Sequence, residues 1–416
     1  MSIEQLIVSI SIILLAAHAF GLMFRRIGQP QVVGEMVAGI LLGPSLFGRL
    51  FPAAFAYIFP ATALATLTNL SQLGLLLFMF VVGLEVDTEQ ILKHRAVVLF
   101  TSNVSILMPM ALGIALAVQF YPRFAGEGVP FLLFALFIGT AMSVTAFPVL
   151  ASILKERNLL KSDLGVMAIS CAAIDDVSAW ILLAVLTAMA HSAHSWVHLF
   201  KTLLSLLLFI GFMFFGTRYA ASFLEKQSRS RKLGLAPFCG LIFIMLASSW
   251  VTERLGVHAL FGAFMAGLIM PKGTVLIKET IEKLESLTVA LLLPVFFVLI
   301  GLRTHIDSLS GGGAWGYTLA IIAVAILGKL VGASLIARAN GVDWKNSFAL
   351  GILMNTRGLV ELVILNAGLE LGILSPTMFS MMVVMALTTT FMTTPILSVI
   401  DKIPDKRRRW AIAVRN

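Results

Sequence analysis

Asp175 and Asp176 stand side by side in "SCAAIDDVSAWILLA", a stretch that otherwise reads as the middle of a buried helix. Two more charges share such surroundings, Lys329 in "AILGKLVGA" and Arg357 in "MNTRGLVEL". Ionisable groups this deep in apolar sequence are costly, and they are expected to pair with one another or to line an ion or proton pathway. Adjacent residues on a helix point about 100° apart, so the two aspartates cannot share one environment. One can face a fixed partner while the other faces a cavity. A carboxyl group in a poorly solvated cavity holds its proton more tightly, and it can then exchange that proton for a metal cation near neutral pH. The competing reading, an ion pair of the aspartates with Lys329 for stability alone, is a poor use of two buried carboxylates in lipid.

The elements that must position these groups follow from composition. Of 416 residues, 59% are apolar and 12% charged, the signature of an integral membrane protein. Apolar runs able to cross a ~30 Å hydrocarbon core as helices recur along the chain. We predict 13, at 2–24, 31–50, 62–84, 96–120, 129–154, 164–190, 198–223, 234–253, 256–271, 286–304, 313–337, 345–369 and 376–401. The first precedes Arg25-Arg26 and lacks a small-residue cleavage pattern, so it reads as a retained helix rather than a signal peptide. The short ninth run could be a re-entrant hairpin, but the charge pattern favours a crossing. Cys171 and Cys239 lie inside apolar runs and read as core residues, without disulfide or metal-ligand spacing.

The net charge of +9 does not call for nucleic acid. With the N-terminus placed outside, 22 of the 30 Lys and Arg residues fall in inner loops and the tail, against five outside (Arg49, Arg123, Lys201, Arg254 and Arg303). That asymmetry obeys the positive-inside rule and predicts a cytoplasmic C-terminus, with a basic tail at 402–416 that meets anionic lipid. Arg218 can snorkel from the seventh run. Lys329 and Arg357 lie too deep to do so.

Internal similarity gives the topology. "EMVAGILLGPSLFG" resembles "AFMAGLIMPKG", with Gly39 on Gly267. "LFMFVVGLEVD" resembles "VFFVLIGLRTHID", with Gly83 on Gly301, and "AMSVTAFPVL" can be laid on "LMNTRGLVEL", with Met142 on Met354. The order implies two six-helix repeats, spans 1–6 (2–190) and 8–13 (234–401), with linker helix 198–223 between them. An odd linker inverts the second repeat. The expected fold is therefore an all-α membrane protein with inverted repeats, a common design of secondary transporters.

The fifth and twelfth spans look broken. Thr140, Ser143, Thr145 and Pro148 interrupt one; Pro148 donates no backbone hydrogen bond and clashes with the Val144 carbonyl in a helix. Asn355, Thr356, Arg357 and Gly358 interrupt the other. Freed carbonyls and half-helix ends would face a small polar cavity that binds a cation, with Ser143 and Thr145 as expected neutral ligands. Glu361 lies four residues after Arg357, the step of an intrahelical pair that would hold the break in shape. Weaker signals are His191, His194 and His198 near the end of the sixth span, and Glu85, Asp87 and Glu89 near the end of the third. Both sets read as solvated ends rather than a metal site, a pH sensor or a cation funnel.

"GEMVAGILLGPSLFG", "FMFVVGLEVD", "AISCAAIDDVSAWILLA", "FGAFMAGLIMP" and "MNTRGLVELVILNAGL" together resemble the second monovalent cation/proton antiporter family, over nearly the whole chain. That family includes Kef-type potassium efflux systems, bacterial sodium/proton antiporters and plant cation/proton exchangers. The resemblance implies a homodimer of 13-helix subunits, in which a six-helix core moves against a dimerisation domain like an elevator. It implies Asp176 as carrier of cation and proton, Asp175 beside it, and Lys329 as the salt-bridge partner of Asp175. It further implies Na+ or K+ exchange for protons, electrogenic in paired-aspartate members, with no cofactor. Kef-type proteins carry a regulatory nucleotide-binding domain and plant exchangers a long tail, and neither is expected after the last span.

Other functions fit less well. An intramembrane aspartyl protease needs two carboxyls converging on one water, whereas these diverge. A channel needs a continuous pore that a buried Asp/Lys pair would block. A sodium-coupled symporter of an organic anion shares broken crossing helices and is the alternative.

Overall fold

The computed structural model describes residues 3–85, 95–160, 162–191, 197, 200–202, 204–213, 215, 234–271, 274–309 and 313–402. Eleven helical spans in it are long and apolar enough to cross a membrane, and the chain is a multi-pass membrane protein. They match eleven of the predicted runs. The seventh run contains a shorter apolar helix at Phe200–Met213, and the ninth a ten-residue helix at Ala259–Leu268. Asp87, Glu89, His194, His198, Arg218 and the tail from residue 403 lie outside the described residues.

The helices are α1 (Ile3–Arg26), α2 (Gln31–Leu42), α3 (Phe47–Leu50), α4 (Pro52–Ile58), α5 (Ala61–Glu85), α6 (Arg95–Phe124), α7 (Phe131–Ser143), α8 (Phe147–Glu156) and α9 (Asp163–His191). After the linker come α10 (Leu235–Arg254), α11 (Ala259–Leu268), α12 (Val275–Leu287), α13 (Leu293–Arg303), α14 (Ala314–Ala339), α15 (Trp344–Met354), α16 (Leu359–Glu370) and α17 (Pro376–Asp401). Two compact units form from interleaved segments. One comprises Met1–Met23, Gly34–Thr88 and Ser178–Asp307; the other comprises Phe24–Val33, Glu89–Val177 and Ser308–Asn416.

In the first unit α5 packs on α11, α12 and α13, and α10 packs on α11. Helix begins eleven residues before the predicted tenth span: Thr274 caps α12 by accepting from the Ile277 N–H at 3.3 Å. Composition hid α12, because Lys278, Glu279, Glu282, Lys283 and Glu285 dilute an apolar face that buries Leu276, Ile277 and Leu284. A five-residue π-helical stretch, Thr288–Leu292, joins it to α13.

Two glycine pairs set the closest approaches of this unit. A Cβ on Gly39 would overlap the Val298 carbonyl oxygen and meet Gly301 Cα at 2.9 Å; one on Gly301 would meet the Met36 carbonyl oxygen at 2.5 Å. A Cβ on Gly83 would overlap the Phe264 carbonyl oxygen, and one on Gly267 the Phe80 carbonyl oxygen. Each glycine thus sits on the carbonyl three residues before its partner. Because Gly39 aligns with Gly267 and Gly83 with Gly301, the two contacts exchange under the repeat relation. That is the contact pattern expected of a two-fold relation between duplicated units.

In the second unit α6 packs on α7 and α14, α14 on α15 and α17, and α16 on α7 and α17. Its core includes Val149, Leu150, Ile153, Ala168, Cys171, Ala333, Leu350 and Leu353. Cys171 is buried as expected, but Cys239 is exposed on α10. In a membrane helix the lipid face is as apolar as the packed face, so hydropathy does not separate the two.

Candidate functional site

Both predicted interruptions are breaks in helix. α7 ends at Ser143, Val144 and Ala146 are extended (φ −75°, ψ 142° and φ −83°, ψ 100°), and α8 begins at Phe147 with Pro148 in its first turn. A proline there removes an N–H that the helix would leave unused. α15 ends at Met354 and α16 begins at Leu359, with Asn355 to Gly358 between. The two breaks touch. The Ala146 N–H donates to the Thr356 carbonyl at 3.0 Å, and the Thr145 hydroxyl lies 2.9 Å from the Met354 carbonyl. A Cβ on Gly358 would come within 2.6 Å of Val149 Cγ2, so any larger residue here would force Val149 to shift.

Side chains satisfy the open helix ends at this crossing. The Arg357 guanidinium donates to the Ala141 and Met142 carbonyls at 2.9 and 2.6 Å, and the Ser143 hydroxyl donates to the Thr140 carbonyl at 2.8 Å. Three of the last four carbonyls of α7 are thereby paired. The cation also complements the negative end of the α7 dipole. Glu361 lies 3.3 Å from Arg357, both side chains fully buried, and sits in the first turn of α16 where a carboxylate is favoured. Thr390 of α17 clamps the break from behind: its hydroxyl donates to the Arg357 carbonyl at 2.7 Å and accepts the Arg357 N–H at 2.9 Å.

The aspartates of α9 meet very different surroundings. The Asp175 carboxylate receives Ser102 at 2.7 Å on Oδ1, and Ser105 at 3.0 Å, Thr145 at 2.7 Å and Lys329 at 3.0 Å on Oδ2. Lys329, fully buried on α14, also donates to the Ser105 and Thr145 hydroxyls at 3.0 and 2.7 Å. Three ammonium protons meet three acceptors. Asp176 is as buried as Asp175, at 1% exposure, yet neither of its oxygens has a hydrogen-bond partner among the described residues.

These residues, from Ser102 to Thr390, belong to the second unit. The structure therefore brings together Asp175, Lys329, Thr145 and the two breaks. Ser143 turns to its own helix, and His191 does the same, its Nδ1 lying 2.9 Å from the Thr187 carbonyl. Among the described residues no group of three or more His, Cys, Asp or Glu could hold a metal ion.

Residues 10–400 match the family described as "Sodium/hydrogen exchanger, transmembrane". The chain belongs to that family. It is 41% identical over 394 residues to the Na(+)/H(+) antiporter NhaS4 of Synechocystis, covering 94% of this chain and 96% of the relative. It is 35% identical over 406 residues to the K(+)/H(+) antiporter 1 of Saccharomyces cerevisiae, covering 95% of this chain and 46% of the relative. The chain thus spans about half the length of the yeast relative. The fold is similar to that of the sodium proton antiporter MjNhaP1 from Methanocaldococcus jannaschii, with a TM-score of 0.71 at 13% identity over 95% of this chain and 99% of that one.

Ser102, Ser105 and Thr390 were not singled out from this exchanger's sequence. The signal existed in "TSNVS", where the two serines share a helix face at a three-residue spacing. Hydroxyls in apolar helices usually bond back to their own backbone, as Thr68 and Thr187 do here, so position alone does not mark a site.

Proposed function

We propose that this exchanger moves Na+ or K+ across the membrane in exchange for protons, with Asp176 as the shared carrier. The observation that carries the reading is the contrast between a fully paired Asp175 and an unpartnered, equally buried Asp176. A bare carboxylate in a low-dielectric site is costly, and either a proton or a cation neutralises it. Occupants that exclude each other on one group give exchange, since only the neutralised forms cross easily.

Asp175 and Lys329 form a charge pair beside the carrier. Transport is electroneutral if that pair stays intact throughout. It is electrogenic, the case we favour, if the cation-bound state opens the bridge and a second proton leaves. The crossing supports an elevator-type cycle in which a six-helix core travels as a body, because Arg357 bonds the end of α7, Glu361 pairs with Arg357, and the Ala146 N–H joins the Thr356 carbonyl. The glycine pairs support inverted repeats at 2–190 and 234–401 about the linker helix 198–223. We further propose a homodimer in the cell membrane, with an outer N-terminus and cytoplasmic C-terminus from the positive-inside distribution.

Purified protein in liposomes tests the exchange itself. With an acid lumen, adding Na+, K+, Li+ or Rb+ outside should release luminal protons for at least one of the four. No cation-driven proton movement with any of them would overturn the proposal.

A further inference from the structure

Of the expected neutral cation ligands on the fifth span, Thr145 already holds a cation, Lys329, and Ser143 gives its proton to its own helix. The Thr145 hydroxyl itself donates to Asp175 or Met354. An oxygen that accepts an ammonium proton is a poor seat for a second cation. The opposite break differs. Both amide atoms of Asn355 and the Thr356 hydroxyl are fully buried and lack hydrogen-bond partners among the described residues. Their backbone groups are not the cause. The Asn355 N–H pairs with Ile352 at 3.1 Å, the Thr356 N–H with Leu353 at 3.1 Å, and the Thr356 carbonyl with Ala146 at 3.0 Å.

Buried polar side chains in native proteins are almost always satisfied, so three orphaned groups on adjacent residues point to a ligand or water there. Their position selects the ligand. The twelfth-span break meets the aspartates at the fifth-span break: the Thr145 hydroxyl lies 2.7 Å from Asp175, the neighbour of Asp176, and 2.9 Å from the Met354 carbonyl, and the next N–H, that of Ala146, donates to the Thr356 carbonyl. A carboxylate, an amide oxygen and a hydroxyl offer hard oxygen donors with one negative charge among them, a set suited to a monovalent alkali cation.

We infer that Asn355 Oδ1 and Thr356 Oγ1 complete the cation site around Asp176, giving the twelfth-span break a binding role besides its structural one. This rests on the reading of Asp176 as carrier. In this arrangement the Thr145 hydroxyl scaffolds the Asp175 pair, and the twelfth-span side chains tune which cation is held.

The test uses full-length protein with two readouts, the half-saturating cation concentration for exchange and the cation-induced rise in melting temperature. Thr356→Val keeps shape and removes the oxygen, whereas Thr356→Ser keeps the oxygen. Thr356→Val should raise the half-saturating concentration about tenfold, more than any change in maximal rate, and shrink the thermal shift, while Thr356→Ser restores both. Asn355→Ala should act in the same direction; if it fails to fold, the Thr356 series decides alone. Unchanged cation dependence and thermal shift in Thr356→Val, with both abolished in Asp176→Asn, would overturn the inference and leave the carrier reading intact. A full thermal shift in folded Asp176→Asn would instead overturn the carrier reading on which it rests.

Discussion

Asp175 and Asp176 are consecutive on α9, yet four side chains donate hydrogen bonds to the first and none of the described residues does so to the second. The angular step of a helix makes the separation possible, and α6, α14 and the fifth-span break supply the donors for one side of it. One carboxylate is balanced in this conformation by the protein's own ammonium. The other is left for whatever enters the site.

The Asp175–Lys329 pair is interior, so removing one partner strands a charge. Lys329→Gln should lower stability by about 3–5 kcal/mol, whereas Asp175→Asn combined with Lys329→Gln should recover most of that loss. Thermal melts in detergent compare them. Equal losses in the single and double variants would show that Lys329 does not compensate Asp175.

Competition for one carboxylate fixes the sign of the pH effect. A fall in pH raises the protonated fraction of Asp176 and weakens apparent cation binding. The half-saturating cation concentration should rise by up to about tenfold per pH unit, the limit for one proton competing at one site, with little change in the maximal rate. Exchange assays at several pH values read this directly. A half-saturating concentration independent of pH would mean that cation and proton occupy separate groups.

Voltage separates the two stoichiometries. A net charge moved per cycle is worth about 2.3 kcal/mol per 100 mV, so electrogenic exchange should change rate when valinomycin and potassium set the membrane potential. A rate indifferent to voltage, with no transient current after a cation jump on a solid-supported membrane, would favour a bridge that never opens.

Much of this geometry was legible in the residues, for identifiable reasons. Pro148, and the run Asn355-Thr356-Arg357-Gly358, announced both breaks because each removes or redirects backbone hydrogen bonds. The repeat alignment paired Gly39 with Gly267 and Gly83 with Gly301, but it could not say that Gly39 packs on Gly301, which is a matter of tertiary packing. Hydropathy missed α12, whose charged face dilutes the apolar one. It also missed the roles of Ser102, Ser105 and Thr390, because a hydroxyl bonded to its own helix and one aimed across the bundle look alike in sequence. Thr145 was expected to meet a cation, and the cation beside it is Lys329.

Asp176→Asn is the most direct test of the central claim, because it keeps size and polarity while removing both charge and titration. Variant and parent should be reconstituted at equal protein density, with melting curves in detergent to establish that both are folded. In the parent, adding the transported cation outside acid-loaded liposomes should drive protons out. The folded variant should show no cation-driven proton movement above protein-free liposomes. Substantial exchange by folded Asp176→Asn would contradict the account and place the shared carrier on another group.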